Sequence, residues 1–186
     1  MLLSLVFECV FFILGCVFRV MHHAVIGYGS LMSRASVGHF RSVKKVEPVI
    51  VKGFRRVFDL TIPHHSGDWL NVHASKKHYF NGVLFHVSEY DLRRIKERED
   101  DYDFVSAWAL HYDSEKRLAK GLLSVDDWVG LDKGKRLPQK NYFIECRKAA
   151  YGLGDDFGRE WDETTFLSNG QKVSTWLRKN PSFAKR

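Results

Sequence analysis

The chain is poor in cysteine, proline and low-complexity sequence, and each shortage closes off a class of protein. Its three cysteines, Cys9, Cys16 and Cys146, are odd in number and widely spread. With no C-x-x-C pair, neither a zinc site nor a disulfide framework is indicated, and a reducing, cytoplasmic compartment fits best. Four prolines in 186 residues leave little material for a hinge. No internal repeat or interdomain linker is visible. One domain over residues 21–180 with a short basic tail, 181–186, is therefore expected, long enough to bury a core without staples. The chain also lacks a basic tract. Its charge of +7 comes from scattered pairs (Lys44-Lys45, Arg55-Arg56, Lys76-Lys77, Arg93-Arg94) lying between acidic runs. That pattern reads as a solvated surface, so no nucleic-acid partner is expected. A hydrophobic fraction of 45% excludes a disordered chain.

What is abundant first is apolar sequence. Residues 2–18 are broken only by Ser4, Glu8 and Gly15. A bilayer core needs roughly 20 apolar residues, so the run is marginal, and Glu8 at mid-membrane costs about 2.5–3.5 kcal/mol on insertion scales. The basic start and small-x-small site of a secretory signal are missing. Three readings fit: a translated leader before a start at Met21, a membrane anchor flanked by Arg19, or an apolar element packed on the domain. A membrane partner is expected only under the second.

Further along, residues 32–40 suggest a short helix capped by Ser33. Residues 49–62 read as strand, with a break at Gly53. Residues 70–74 and 82–87 suggest two more strands, with Asn81-Gly82 as a turn between them. Ser88, with Asp91 three residues on, resembles a capping box that opens a helix to Glu99. Residues 104–112 alternate like a half-buried strand. Pro138 suits the first turn of a helix carrying Tyr142, Cys146, Ala149, Ala150 and Leu153 on one stripe, ending at Gly152-Leu153-Gly154. Strands outnumber helices without alternating with them. The expected fold class is α+β: a small mixed, largely antiparallel β-barrel flanked by helices.

Two places carry chemistry. The first is Val25-Ile26-Gly27-Tyr28-Gly29-Ser30-Leu31-Met32, a short apolar strand entering a glycine-bracketed turn. Gly27 and Gly29 allow a ligand to approach the main chain, and successive peptide N–H groups in such a turn hold carboxylates or phosphates. An ordinary strand-to-turn junction has the same pattern. A dinucleotide fingerprint fits poorly, because Met32 stands where G-x-G-x-x-G needs its third glycine. The second place is the end of the helix after Ser88. Leu92 and Ile95 mark its inward stripe, and the next inward position is Glu99. Burial raises a carboxyl pKa, and Asp100, Asp101 and Asp103 raise it further if they lie close, which suits proton shuttling. The alternative is a frayed helix end in which Glu99 pairs with Arg98 or a lysine.

These pieces occur together in a known order. The turn at residues 27–31, the segment Ile95-Lys96-Glu97-Arg98-Glu99-Asp100-Asp101-Tyr102 and Pro138-Gln139-Lys140-Asn141-Tyr142 with Gly152 downstream resemble the γ-glutamylcyclotransferase-like superfamily over residues 24–177. That family's helix usually ends in L-D-x-x-E-G. Here Lys96 replaces the Asp and Asp100 the Gly, which leaves the glutamate but alters the loop beyond it. Arg34 also resembles a basic position common in the family.

The resemblance implies a small-molecule γ-glutamyl substrate and no cofactor. Its α-amine attacks its own γ-carbonyl, releasing 5-oxoproline and an amine or amino acid. It implies Glu99 as the catalytic proton carrier and the backbone of Gly27, Tyr28, Gly29, Ser30 and Leu31 as substrate-binding donors. Tyr142 would hydrogen-bond the glutamyl group and Tyr102 would wall the site; a core tyrosine is the other reading of Tyr142. A non-catalytic γ-glutamyl or anion binder of the same fold is the rival function. Oligomeric state and leaving group are not set by the sequence.

Other constellations fit less well. His64, His65, His73 and His78 have no carboxylate or cysteine at ligand spacing, so strand or surface histidines are expected. Ser30 in G-Y-G-S-L is not the serine of G-x-S-x-G. Cys146 reads as a small core residue.

Overall fold

The computed structural model describes residues 22–62, 64, 66–100, 102–126 and 136–184. The apolar run at residues 2–18, with its three readings, lies outside them. Among the described residues, no helix is long and apolar enough to cross a membrane.

Among the described residues, six strands carry the fold: β1 (His22–Gly27), β2 (Val46–Leu60), β3 (Trp69–Ser88), β4 (Asp103–His111), β5 (Arg117–Val125) and β6 (Thr165–Leu167). β1 runs antiparallel to β3 and parallel to β5. β5 and β2 are both antiparallel to β4, and β2 pairs antiparallel with β3 along nearly its whole length. The pairings β3–β1–β5–β4–β2–β3 thus return to their start, with β6 added in parallel to β2. Val25 and Ile26 are both buried although they face opposite sides, because the sheet is covered on both faces here.

The turn expected at Asn81-Gly82 does not exist. β3 runs through it without interruption, pairing Asn81 with Ile50 and Gly82 with Val49. Gly82 is needed for a different reason: a Cβ there would stand 2.6 Å from the Gly27 carbonyl oxygen. Asn81 is fully buried, its amide donating to the Phe157 carbonyl at 2.8 Å. The break at Gly53 is a bulge, with φ +87° at the register shift between Lys52 and Phe54.

The helices are α1 (Arg34–Val37), α2 (Glu89–Arg98), α3 (Lys140–Tyr151), α4 (Asp155–Thr164) and α5 (Val173–Leu177). Ser33 caps α1 by accepting from Ser36 N at 2.9 Å, but the helix is one turn, shorter than residues 32–40. Ser88 Oγ caps α2 by accepting from Asp91 N at 3.3 Å. α3 starts later than Pro138: Gln139 is its cap, accepting from Tyr142 N, while Pro138 bridges to Asp68 just before the helix. Cys146, Ala149 and Ala150 are buried on the expected stripe, and Phe143 is buried beside it, since α3 packs against α4 as well as the sheet.

α4, absent from the sequence reading, lies against α3 because Gly158 admits the Tyr151 ring; a Cβ there would be 2.4 Å from it. Arg147 and Asp162 join the two helices through a buried two-pronged pair, with Nε–Oδ1 and Nη2–Oδ2 distances of 2.9 Å. Phe143 anchors an aromatic cluster with Trp161, Trp176 and Phe183.

Candidate active site

The site is built where β1 ends. At Gly27 the chain folds back so tightly that a Cβ would lie 3.0 Å from the Leu31 carbonyl oxygen. Two residues later, a Cβ on Gly29 would lie 3.1 Å from the Tyr142 hydroxyl. Ser30–Met32 then forms a 3-10 turn, closed by Met32 N to Gly29 O at 3.0 Å. No backbone acceptor among the described residues takes the N–H of Gly29, Ser30 or Leu31.

Glu99 reaches this turn from the end of α2. It is the residue that caps the helix, its N–H bonded to Ile95 O at 2.9 Å, with φ −102° and ψ 38°. Its carbonyl accepts from Tyr102 N at 2.9 Å, which brings the chain straight back along the site. The Glu99 side chain is 15% exposed. Both readings of this residue meet in one geometry: the carboxylate is held inward, and Arg98 Nε stands 3.4 Å from its Oε1.

Desolvation pushes the Glu99 carboxyl above its ordinary pKa, and the Arg98 charge partly offsets this. The expected contribution from the following aspartates does not arise at Asp100 and Asp103, which point to solvent and do not act on Glu99; Asp101 lies outside the described residues.

Tyr142, in the first turn of α3, stacks against Trp69 with ring centroids 4.3 Å apart. Tyr102 donates its hydroxyl to Leu70 O at 2.8 Å, so it stands as a wall. Tyr28 is buried edge-on to Phe80, its hydroxyl 3.4 Å from Ser124 Oγ. Burial raises all three phenols well above their usual pKa, so they are neutral donors.

Gly27, Tyr28, Gly29, Ser30, Leu31, Glu99, Tyr102 and Tyr142 all line one cavity. It measures about 10 Å³, room for about one water. A neighbouring pocket of about 130 Å³ shares Ser30, Glu99, Tyr102 and Tyr142 with it and adds Ile62, Trp69 and Arg98. A carboxylate with a raised pKa thus faces a main-chain turn with free donors across a space closed by tyrosines.

Sequence reasoning missed Ser124, which stands in no pattern that announces it, and expected Arg98 only as the ion-pair partner of Glu99 at a frayed helix end. It also placed Arg56 on the solvated surface with Arg55, whereas Arg56 is fully buried. Arg56 Nη1 donates to the carbonyls of Tyr28 (3.3 Å) and Asn81 (2.6 Å). Burial lowers its pKa to about 9, which leaves it charged at neutral pH. Arg34 lines a separate groove of about 600 Å³ beside Arg98 and Lys148, outside the Glu99 cavity. Lys96 and Asp100, the two departures from the family pattern, are exposed and do not line the cavity. His73 pairs with Asp59 at 2.7 Å and His78 with Ser75 at 2.7 Å, while His65 lies outside the described residues. Cys146 is buried beside Tyr142, and burial pushes its thiol up to about 12.

No protein-family model and no curated protein matches the sequence. Solved structures do match the fold. One described as a γ-glutamyl cyclotransferase superposes with a TM-score of 0.63 at 12% identity, over 87% of this chain and 99% of its own. The chain has the γ-glutamylcyclotransferase fold. An uncharacterized human protein gives a TM-score of 0.62 at 14% identity, over 88% of this chain and 99% of the other. A yeast γ-glutamyl cyclotransferase specific to glutathione gives 0.53 at 14% identity, over 84% and 99%.

Proposed function

We propose that the protein is a γ-glutamylcyclotransferase-type enzyme, which closes a γ-glutamyl group to 5-oxoproline and releases an amine or amino acid. The observation that carries this reading is the inward carboxylate of Glu99, with its raised pKa, across one cavity from the donor turn at residues 27–31. The chemistry is intramolecular. Glu99 takes a proton from the substrate's α-ammonium, and the freed amine attacks its own γ-carbonyl carbon, forming the ring C–N bond. The resulting oxyanion is met by main-chain N–H groups of the turn. Glu99 then passes its proton to the leaving nitrogen as the old C–N bond breaks, and its carboxylate takes up the second proton of the ring nitrogen, which departs with the released amine as its ammonium. Nucleophile and electrophile are already tethered, and well-oriented closures of this kind carry effective molarities on the order of 10⁵–10⁸ M. The protein's tasks are to fold the substrate and carry two protons from the attacking nitrogen to the leaving one.

One observation favours a second reading. Arg98 places a cation beside both Glu99 and Ser30, which suits a binder that holds a γ-glutamyl carboxylate or another anion without turning it over. Incubation with γ-glutamyl amino acids, γ-glutamyl amines, glutathione and γ-glutamyl isopeptides separates the two. Release of 5-oxoproline from any of them supports the enzyme. Saturable binding without release from the whole panel supports the binder.

A further inference from the structure

Arg56 is a fully buried cation that the chemistry above does not use. Its guanidinium makes six hydrogen bonds, all to neutral acceptors. Nε donates to Thr165 Oγ1 at 2.8 Å. Nη1 donates to the carbonyls of Tyr28 and Asn81, and Nη2 to Asn81 Oδ1, Trp161 O and Thr164 Oγ1. Its Cζ also lies over two aromatic rings, 5.4 Å from the centroid of Phe80 and 4.9 Å from that of Trp161. A charge taken wholly out of water is costly, and a purely structural role is filled at less cost by a neutral side chain. What distinguishes this position is its contact with the turn.

The Tyr28 carbonyl points toward Arg56 and also accepts from Trp161 Nε1 at 3.4 Å, and neither donor lines the cavity. In a planar trans peptide the C=O and the following N–H point in opposite directions. Fixing the Tyr28 carbonyl on the interior side therefore turns the Gly29 N–H the other way, on a residue that lines the cavity. We infer that Arg56 is a positioning residue: it locks the Tyr28–Gly29 peptide so that its N–H is offered to the substrate before binding. The inference deepens the proposed function and rests on it for its link to turnover. A donor fixed in advance costs no reorganisation during reaction, and loss of one such donor typically lowers kcat by about 10²–10³-fold.

Three variants test this: Arg56→Lys, Thr165→Val and Trp161→Phe. Each is followed by 5-oxoproline release per folded molecule and by the Gly29 amide resonance in NMR, with 5-oxoproline added as the probe. Thr165→Val removes an Arg56 partner remote from the turn, so it should lower Tm yet keep kcat within about threefold, against roughly 10–100-fold loss for Arg56→Lys, with KM moving less than kcat. Arg56→Lys should also abolish the response of the Gly29 amide to 5-oxoproline. Turnover in Arg56→Lys within threefold of the parent, or losses that merely track Tm across the variants, would overturn the inference. If Arg56→Lys does not fold, Trp161→Phe decides: a lower kcat at constant KM supports the inference, and an unchanged kcat overturns it. If the parent protein releases no 5-oxoproline from any γ-glutamyl compound, the proposed reaction fails. Arg56 is then judged on the Gly29 amide alone, where an unmoved resonance in the variants counts against it.

Discussion

Arg98 holds Glu99 and Ser30 at once: its Nε lies 3.4 Å from Glu99 Oε1 and its Nη2 donates to Ser30 Oγ at 2.9 Å. The cation therefore ties the carboxylate to the turn, and it opposes the effect of burial on the carboxyl pKa.

Arg98→Gln should keep the hydrogen bond to Ser30 within reach while removing the charge. With desolvation unopposed, the Glu99 pKa rises further, so the acidic limb of the kcat/KM profile moves to higher pH. A pH-rate series on the variant and its parent checks this; an unmoved limb would mean Glu99 does not titrate in that limb.

Glu99 also links stability to pH. Its folded pKa is raised, so around and above the ordinary glutamate pKa of about 4.3 the folded chain holds a proton that the unfolded chain has released. Folding stability from this group is thus greatest at low pH and falls as pH rises through the folded pKa. Glu99→Gln removes that loss. Its Tm should exceed that of the parent at neutral pH, and the gap should close as the pH is taken below about 4.3.

Gly29→Ala places a methyl group 3.1 Å from the Tyr142 hydroxyl, 3.4 Å from Leu70 and 3.5 Å from Cys146. These neighbours are side-chain atoms that shift by a few tenths of an ångström, so overpacking should cost about 1–3 kcal/mol of stability. Turnover should suffer more, because the methyl group presses on the hydroxyl of Tyr142, a residue that lines the cavity. Denaturant unfolding and kcat/KM, measured on the same preparation, compare the two effects.

Away from the site, Asp162→Ala leaves Arg147 buried without its carboxylate. Breaking a buried pair by removing one partner typically costs about 3–5 kcal/mol, and a loss of that size should appear in denaturant unfolding. Because the pair joins α3 to α4, weakened docking of α4 should appear as faster amide hydrogen exchange there.

What could be read from the sequence is what local chemistry decides. The Ser88 and Ser33 caps are set within three residues, and the inward phase of Glu99 follows from Ile95 and Leu92, one and two turns before it. The eight proposed site residues fall around one cavity because three local features, a turn, a helix end and a helix start, meet there. What could not be read depends on partners distant in the chain. Arg56 sits in an Arg-Arg pair that resembles surface, and its acceptors come from residues 25 to 109 positions away. Asn81-Gly82 has turn chemistry, but long pairing with β2 overrides it, and the close approach of Gly27 explains the glycine. α4 offers few apolar residues of its own, and its place is set by Tyr151 resting on Gly158.

The proton-transfer role of Glu99 is best examined by comparing Glu99→Gln with the parent for 5-oxoproline release and for binding of the same γ-glutamyl compound. Release should fall by at least about 10²–10⁴-fold while binding stays within a few-fold, since the amide keeps the shape of the side chain but cannot carry the proton. A Gln variant that turns over at the parent's rate would contradict the account.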